Sequence, residues 1–265
     1  MSNEKDAPTF TIPARADDAL TGSQFAAQVM DVPLGPDREE AIFQQLSTGN
    51  IPDFLRASRT IVLSASSISI TVEVLPDVLC VGMDDDFVRV PMNPKTAQRV
   101  ADLFGASLIT QALSDAIWRQ ADVRIDALRT TMPPCSEMTS TRWFVDQNDK
   151  VEHLRASRTG LIAGHKKDVV LANTLSRPEF KDNRVAIYGW HKLTGAPIQS
   201  LNPMPTTHLT HEITYADYSH GIRLIAANVT INDDTVPFVD AAQNPLFAPL
   251  LNCGGVLTYL RYPTA

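Results

Sequence analysis

Along the first hundred positions, apolar residues recur first at helical spacing and then at strand spacing. Phe25, Ala26 and Val29 share a helical face behind Thr21, a side chain suited to capping a helix start. Ile42, Phe43 and Leu46 repeat the pattern after Asp37, Glu39 and Glu40, acids that favour a first turn, and Gly49 stops it. From Thr60 the period shortens to two. Ile68, Ile70, Val72 and Val74 alternate with Ser67, Ser69, Thr71 and Glu73, which predicts a half-buried strand. Apolar runs at 61–63, 78–81 and 87–90 predict neighbouring strands, and a small antiparallel meander is the simplest way to join them. Asn93-Pro94 then opens a helix through Val100, Leu103 and Phe104, ended by Gly105. Ile109, Leu113, Ile117 and Trp118 predict another.

The pattern changes at 129–141, where Thr130, Thr131, Pro133, Pro134, Ser136, Thr139, Ser140 and Thr141 make a turn-rich connection. A short helix is expected near 147–157, followed by strand-like runs at 161–171, 184–190 and 222–231, with a Pro-, Thr- and His-rich loop at 194–212. The expectation is an α+β fold: a loose polar lead (1–19), a helix–antiparallel sheet–helix unit (20–128), and a mostly β part (142–265). The connection at 129–141 reads either as a boundary or as a surface loop within one continuous domain.

Composition narrows the function. The chain of 265 residues is 44% hydrophobic and 20% charged, ordinary values for a packed globular protein. A net charge of -7 argues against a general nucleic-acid binder, and no run is apolar enough for membrane insertion. Cys80, Cys135 and Cys253 are too far apart for a paired zinc motif and too few for a disulfide scaffold, although one bridge among them stays open. The lead begins Ser2-Asn3-Glu4-Lys5-Asp6 with no apolar signal region. The expectation is therefore a cytoplasmic chain, or an exported one whose amino terminus is processed. There is no G-x-G-x-x-G, Walker loop or kinase signature, which disfavours nucleotide-driven chemistry.

All six histidines (His153, His165, His191, His208, His211 and His220) follow residue 150. Three segments carry the candidate chemistry. In Gly164-His165-Lys166-Lys167-Asp168, strand alternation would set His165 beside Lys167, an imidazole next to an ammonium. In Tyr188-Gly189-Trp190-His191, alternation would set Tyr188 and Trp190 on one face, either as core or as a substrate wall ending at His191. Tyr215-Ala216-Asp217-Tyr218-Ser219-His220-Gly221-Ile222-Arg223 concentrates a carboxylate, a hydroxyl, an imidazole and a guanidinium. Here Asp217 would orient an imidazole, His220 would act as acid or base, and Arg223 would grip a carboxylate. Ser219 lacks the G-x-S-x-G context of a nucleophile. His208 and His211 stand three apart beside Glu212 without an H-E-x-x-H pattern, so both are marginal.

The segments GHKKDVVL, RVAIYGWH and YADYSHGIRL, with NIPDFLR upstream, resemble an uncharacterised group of bacterial proteins over about residues 22–225. Members of that group often look exported. The resemblance implies no particular activity, but it implies that the three segments work together.

The expectation is a hydrolase acting on a polysaccharide, peptidoglycan-like or ester substrate, small or polymeric. Its catalytic residues would be His165, Asp217 and His220, and its substrate contacts Lys167, Tyr188, Trp190, His191, Tyr218 and Arg223. The alternative is a non-catalytic carbohydrate- or peptide-binding module. No cofactor is expected; the competing arrangement is a zinc ion on His165, His191 and His220. Oligomeric state is not legible.

Overall fold

The computed structural model describes residues 10–126, 133–203 and 210–265. The first helix, α1 (Gly22–Gln28), starts where the sequence places it. The Thr21 hydroxyl accepts the Gln24 N–H and the Gln24 amide oxygen accepts the Thr21 N–H, a reciprocal cap. Helix α2 (Pro36–Ser47) buries Ile42 and Leu46. Helix α3 (Pro94–Leu103) is capped by Asn93, whose side chain accepts the Lys95 and Thr96 amides at 3.0 Å each. A cap of that kind contributes about 1 kcal/mol.

Strands β1 (Arg59–Ala65) and β2 (Ile68–Val74) form a hairpin in register from Arg59↔Val74 to Ala65↔Ile68. The alternation read from the sequence holds, with Ile70, Val72 and Val74 on the buried face. The expected four-stranded meander does not form. After β2 the chain passes Leu75-Pro76, and proline cannot supply the N–H that a further ladder needs. Strands β3 (Cys80–Met83) and β4 (Asp86–Arg89) pair only with each other, as a separate two-stranded sheet turned at Asp84-Asp85.

Ile109 lies on a strand rather than a helix. Strand β5 (Ala106–Thr110) crosses the core, and α4 (Gln111–Gln120) begins directly behind it, with Thr110 accepting the Leu113 amide. A short apolar run before a helix carries no periodicity that separates the two states. Helix α5 (Thr141–Arg155) starts earlier than expected. Two short strands, β6 (Val123–Arg124) and β7 (Ile162–Ala163), pair in parallel.

The main sheet is mixed, and the fold is α+β. Its later strands are β8 (Lys167–Leu171), β9 (Ile187–His191), β10 (Pro197–Asn202), β11 (His220–Gly221), β12 (Leu224–Ala226), β13 (Asn228–Ile231) and β14 (Asp234–Pro237). The order is β10-β9-β8-β5-β12-β2-β13-β14, with β1 beside β2 and β11 beside β8. β8 runs parallel to both β5 and β11 and antiparallel to β9. Thus β2 and β5, from the first segment, stand among strands of the second. One apolar core cluster runs from Phe10 to Tyr262 across both. Fully buried Leu46, Ile61, Ile70 and Val72 each contribute about 1.5–3 kcal/mol through burial. Short helices α6 (Phe238–Gln243) and α7 (Ala248–Leu251) close the chain. Among the described residues no helix is long and apolar enough to cross a membrane.

Candidate functional site

The three sequence segments meet at the start of β8, but not in the arrangement that alternation predicts. Gly164 has φ +95°, and a Cβ there would meet the Ile125 carbonyl oxygen and the Trp118 ring at 2.4 Å. Residues 164–166 therefore form a bend, and β8 begins only at Lys167. His165 and Lys166 join Asp168, His191 and Arg223 around a small cavity of about 10 Å³, room for about one water. Lys167 goes elsewhere, with its ammonium 5.2 Å from the Trp190 ring centre. Likewise, positive φ at Gly189 (+104°) and Trp190 (+55°) interrupts alternation in β9. Tyr188 and Trp190 consequently enter different groups.

The polar side chains sort into three groups. The innermost is a buried charge network. Asp77 accepts Arg89 Nε at 3.1 Å and Arg89 Nη2 at 2.6 Å, and its other oxygen meets His165 Nε2 at 2.8 Å. Arg89 also reaches Glu152 at 2.7 Å and the Asn148 side-chain oxygen at 3.1 Å. Burial opposes ionisation of Asp77, but the Arg89 guanidinium and then His165 hold its carboxyl well below the usual range. Burial pushes His165 down to about 4, so at neutral pH it is a neutral ring donating Nε2–H to Asp77. Arg223 gives Nη1 to the Leu75 carbonyl (3.0 Å) and Nη2 to the Ile162 carbonyl (2.6 Å), which ties the segment between β11 and β12 to the end of β2 and to β7. Its fork, expected to grip a substrate carboxylate, faces the backbone.

The second group centres on Asp115 of α4. One carboxylate oxygen accepts the Tyr188 hydroxyl and faces His191 Nε2, both at 2.9 Å. The His191 ring stacks on Trp118, with centroids 5.3 Å apart and planes 9° apart. Beside it, Ser114 donates to Asp168 at 2.5 Å. These contacts fasten α4 to β8 and β9.

The third group lies around β11 and the segment before it. Asp217 Oδ1 accepts both the N–H (2.8 Å) and the hydroxyl (2.5 Å) of Ser219, and Oδ2 accepts the Tyr215 hydroxyl at 3.2 Å. Burial would raise the Asp217 carboxyl, but His220, Lys167 and the Ser219 donors hold it down to about 2. Burial pushes the His220 ring down to about 4, so at neutral pH Lys167 and Ser219 stabilise the carboxylate. His211 stacks on Tyr215 at 4.2 Å between centroids and meets His220 edge-on at 6.0 Å. Trp190 packs edge-on against Tyr218 at 6.4 Å. Among the described residues, both His220 ring nitrogens, the Tyr218 hydroxyl and Trp190 Nε1 are buried without a hydrogen-bond partner. His211, Tyr215 and Lys167 are only half-buried and form the side of this group nearest solvent.

His165, His191 and His220 thus belong to three different groups. The first two give their Nε2 atoms to Asp77 and Asp115. Among the described residues, the one set of His, Cys, Asp and Glu side chains whose ligand atoms lie within 4.8 Å of one another is His211, Asp217 and His220. His208 lies outside the described residues. Cys80, Cys135 and Cys253 are free thiols.

Sequence reading missed Asp77, Arg89, Glu152 and Asp115, and it set His211 aside. Asp77 in Leu75-Pro76-Asp77-Val78-Leu79 and Arg89 in Phe87-Val88-Arg89-Val90 did carry a signal. A lone charge inside an apolar run must be paired when buried.

The inner network sets an acid limit on stability. The folded pKa of His165 is about 4, below the unfolded value of about 6.5, so between these the unfolded chain binds a proton that the folded chain does not. Stability present above pH 6.5 is lost as pH falls toward 4, by on the order of 3 kcal/mol for this ring. His220 acts in the same direction. Burial holds Lys166 at about 7, so stability rises again from about pH 7 to 10 as the cost of its buried charge disappears. Urea midpoints measured from pH 4 to 10 are expected to climb through both windows; a maximum near pH 5 would be inconsistent with these protonation states.

Comparison with family models, with curated proteins and with solved structures finds no match to this chain, so the reading of the site rests on its own geometry.

Proposed function

We propose that the protein is a hydrolase whose working site is the third group: Lys167, His211, Tyr215, Asp217 and His220, with Trp190 and Tyr218 as its wall. The substrate class is a polysaccharide, a peptidoglycan-like polymer or an ester. The supporting observation is that three side chains of this group carry buried polar atoms without partners among the described residues. A buried polar group left unpaired costs about 1–3 kcal/mol, and His220, Tyr218 and Trp190 each carry such an atom. The inner network leaves His165 Nδ1 and Arg223 Nε without partners as well, but its opposite charges are paired with one another.

In this reading water adds to the acyl or anomeric carbon, the bond to the leaving oxygen breaks, and one water proton passes to that oxygen. Activation of the water falls to His211, Asp217 and His220. Negative charge that develops on the substrate faces Lys167, held in place over Trp190. Tyr215, bonded to Asp217, orients the carboxylate. His165 keeps a positioning role, since its Nε2 belongs to Asp77 within the inner network.

The test is a screen of chromogenic esters, chromogenic glycosides and peptidoglycan fragments, with wild type beside Lys167→Met. Turnover of at least one class is expected, with kcat in the variant lower by about 10²-fold, in line with loss of one charge-stabilising donor. Absence of turnover in all three classes, or an unchanged kcat in Lys167→Met, would reject the reading and favour a binding module.

A further inference from the structure

The geometry points to a metal site: we infer that His211, Asp217 and His220 together bind one divalent transition-metal ion of the zinc type. Their ligand atoms lie within 4.8 Å of one another, drawn from a segment whose other side chains already fix their orientation. His211 is held by its stack on Tyr215, and Asp217 by the two Ser219 bonds.

The second, independent observation is His220 itself. Its side chain is wholly buried, yet neither ring nitrogen has a hydrogen-bond partner. Its Nε2 stands 4.0 Å from Asp217 Oδ1, beyond hydrogen-bond reach, so the nearby carboxylate leaves the ring unpartnered. Ligands at about 2.0–2.1 Å from zinc stand about 3.3 Å apart in a tetrahedron, so binding draws the set slightly inward.

The chemistry of the donors sets the class of ion. Two imidazoles and one carboxylate suit zinc and its first-row neighbours better than calcium or magnesium, which prefer all-oxygen shells. Asp217 retains a lone pair for a metal on Oδ2, which accepts only the Tyr215 hydroxyl, whereas Ser219 fills both acceptor positions of Oδ1. Three protein ligands are the number that catalytic zinc sites use, and the remaining position takes water, whose pKa falls to about 7. The water-activating role rests on the hydrolase reading above; the binding itself does not.

The test uses tag-free full-length protein, stripped with chelator and dialysed, then titrated calorimetrically with Zn²⁺ and followed by visible absorption with Co²⁺. One ion per chain is expected. Binding should weaken by more than about 100-fold in His211→Ala and in Asp217→Asn, since loss of a ligand exceeds the 10–100-fold effect of an outer-shell partner. His211 is half-buried, so its variant keeps the fold, checked by circular dichroism. No saturable Zn²⁺ binding, or binding unchanged in both variants, overturns the metal site. Turnover that persists in chelator-stripped protein overturns its catalytic use while leaving the hydrolase reading standing. Stoichiometric binding without turnover of any substrate class sustains the metal site and removes the hydrolase reading.

Discussion

Asp77→Ala is expected to destabilise the protein by about 3–5 kcal/mol, the cost of stranding a buried charge whose partner is removed. The deleted carboxylate accepts two bonds from Arg89, one from His165 and one from the Val78 N–H. Arg89 would keep only Glu152 as a charged partner, at the half-exposed edge of the network. A loss of that size is a large fraction of the 5–15 kcal/mol by which domains are ordinarily stable. The measurement is the urea midpoint at pH 7. A shift equivalent to less than about 1 kcal/mol would mean that the network is a surface-like ion pair of the kind that contributes little. Because Arg223 and Lys166 lie in the same low-dielectric surroundings, the loss is expected to exceed that from removing Glu152 alone.

His220→Leu should separate function from stability in the opposite sense. Leucine has similar volume, and the substitution removes two buried nitrogens that have no hydrogen-bond partner in the fold. Replacing an unsatisfied buried polar group by an apolar one of like shape is neutral or stabilising. The expected result is an unchanged or higher melting temperature in metal-free protein, together with turnover lower by about 10²–10⁴-fold, the range associated with loss of an acid–base or water-activating group. A purely structural histidine would give the reverse pattern, with stability falling and any turnover kept.

Much of the framework was legible because it rests on local rules. The Thr21 and Asn93 helix starts and the β2 alternation all depend on residues within a few positions of one another. The sheet was not. Whether β3 and β4 join β1 and β2 is decided by long-range pairing, and a proline at position 76 is the only local hint that they do not. Ile109 shows the same limit, since a five-residue apolar strand in front of a helix looks like its first turn.

The site was legible as a region but not as a geometry. Its segments were found because histidine, aspartate and tyrosine are concentrated there. The side-chain directions failed at the positions where alternation fails: Gly164, Gly189 and Trp190 have positive φ, and each redirects the residues that follow. That separates His165 from Lys167 and Tyr188 from Trp190. Partners at long range, such as Asp77 for His165 across 88 positions, leave no trace in the spacing of either residue. His211 was undervalued for a related reason, because its relation to Asp217 and His220 appears only once the chain turns back on itself.

Two buried aspartates beside histidines therefore carry different assignments: Asp77 with His165 for the fold and, under the proposed function, Asp217 with His220 for the chemistry. The most direct test is turnover measured beside melting temperature for Asp217→Asn. Asparagine preserves the shape and an acceptor for Ser219 while removing the charge. Loss of turnover by at least about 100-fold is expected, with a smaller fall in melting temperature than Asp77→Ala produces. An Asp217→Asn protein that turns over substrate at the wild-type rate would contradict that assignment.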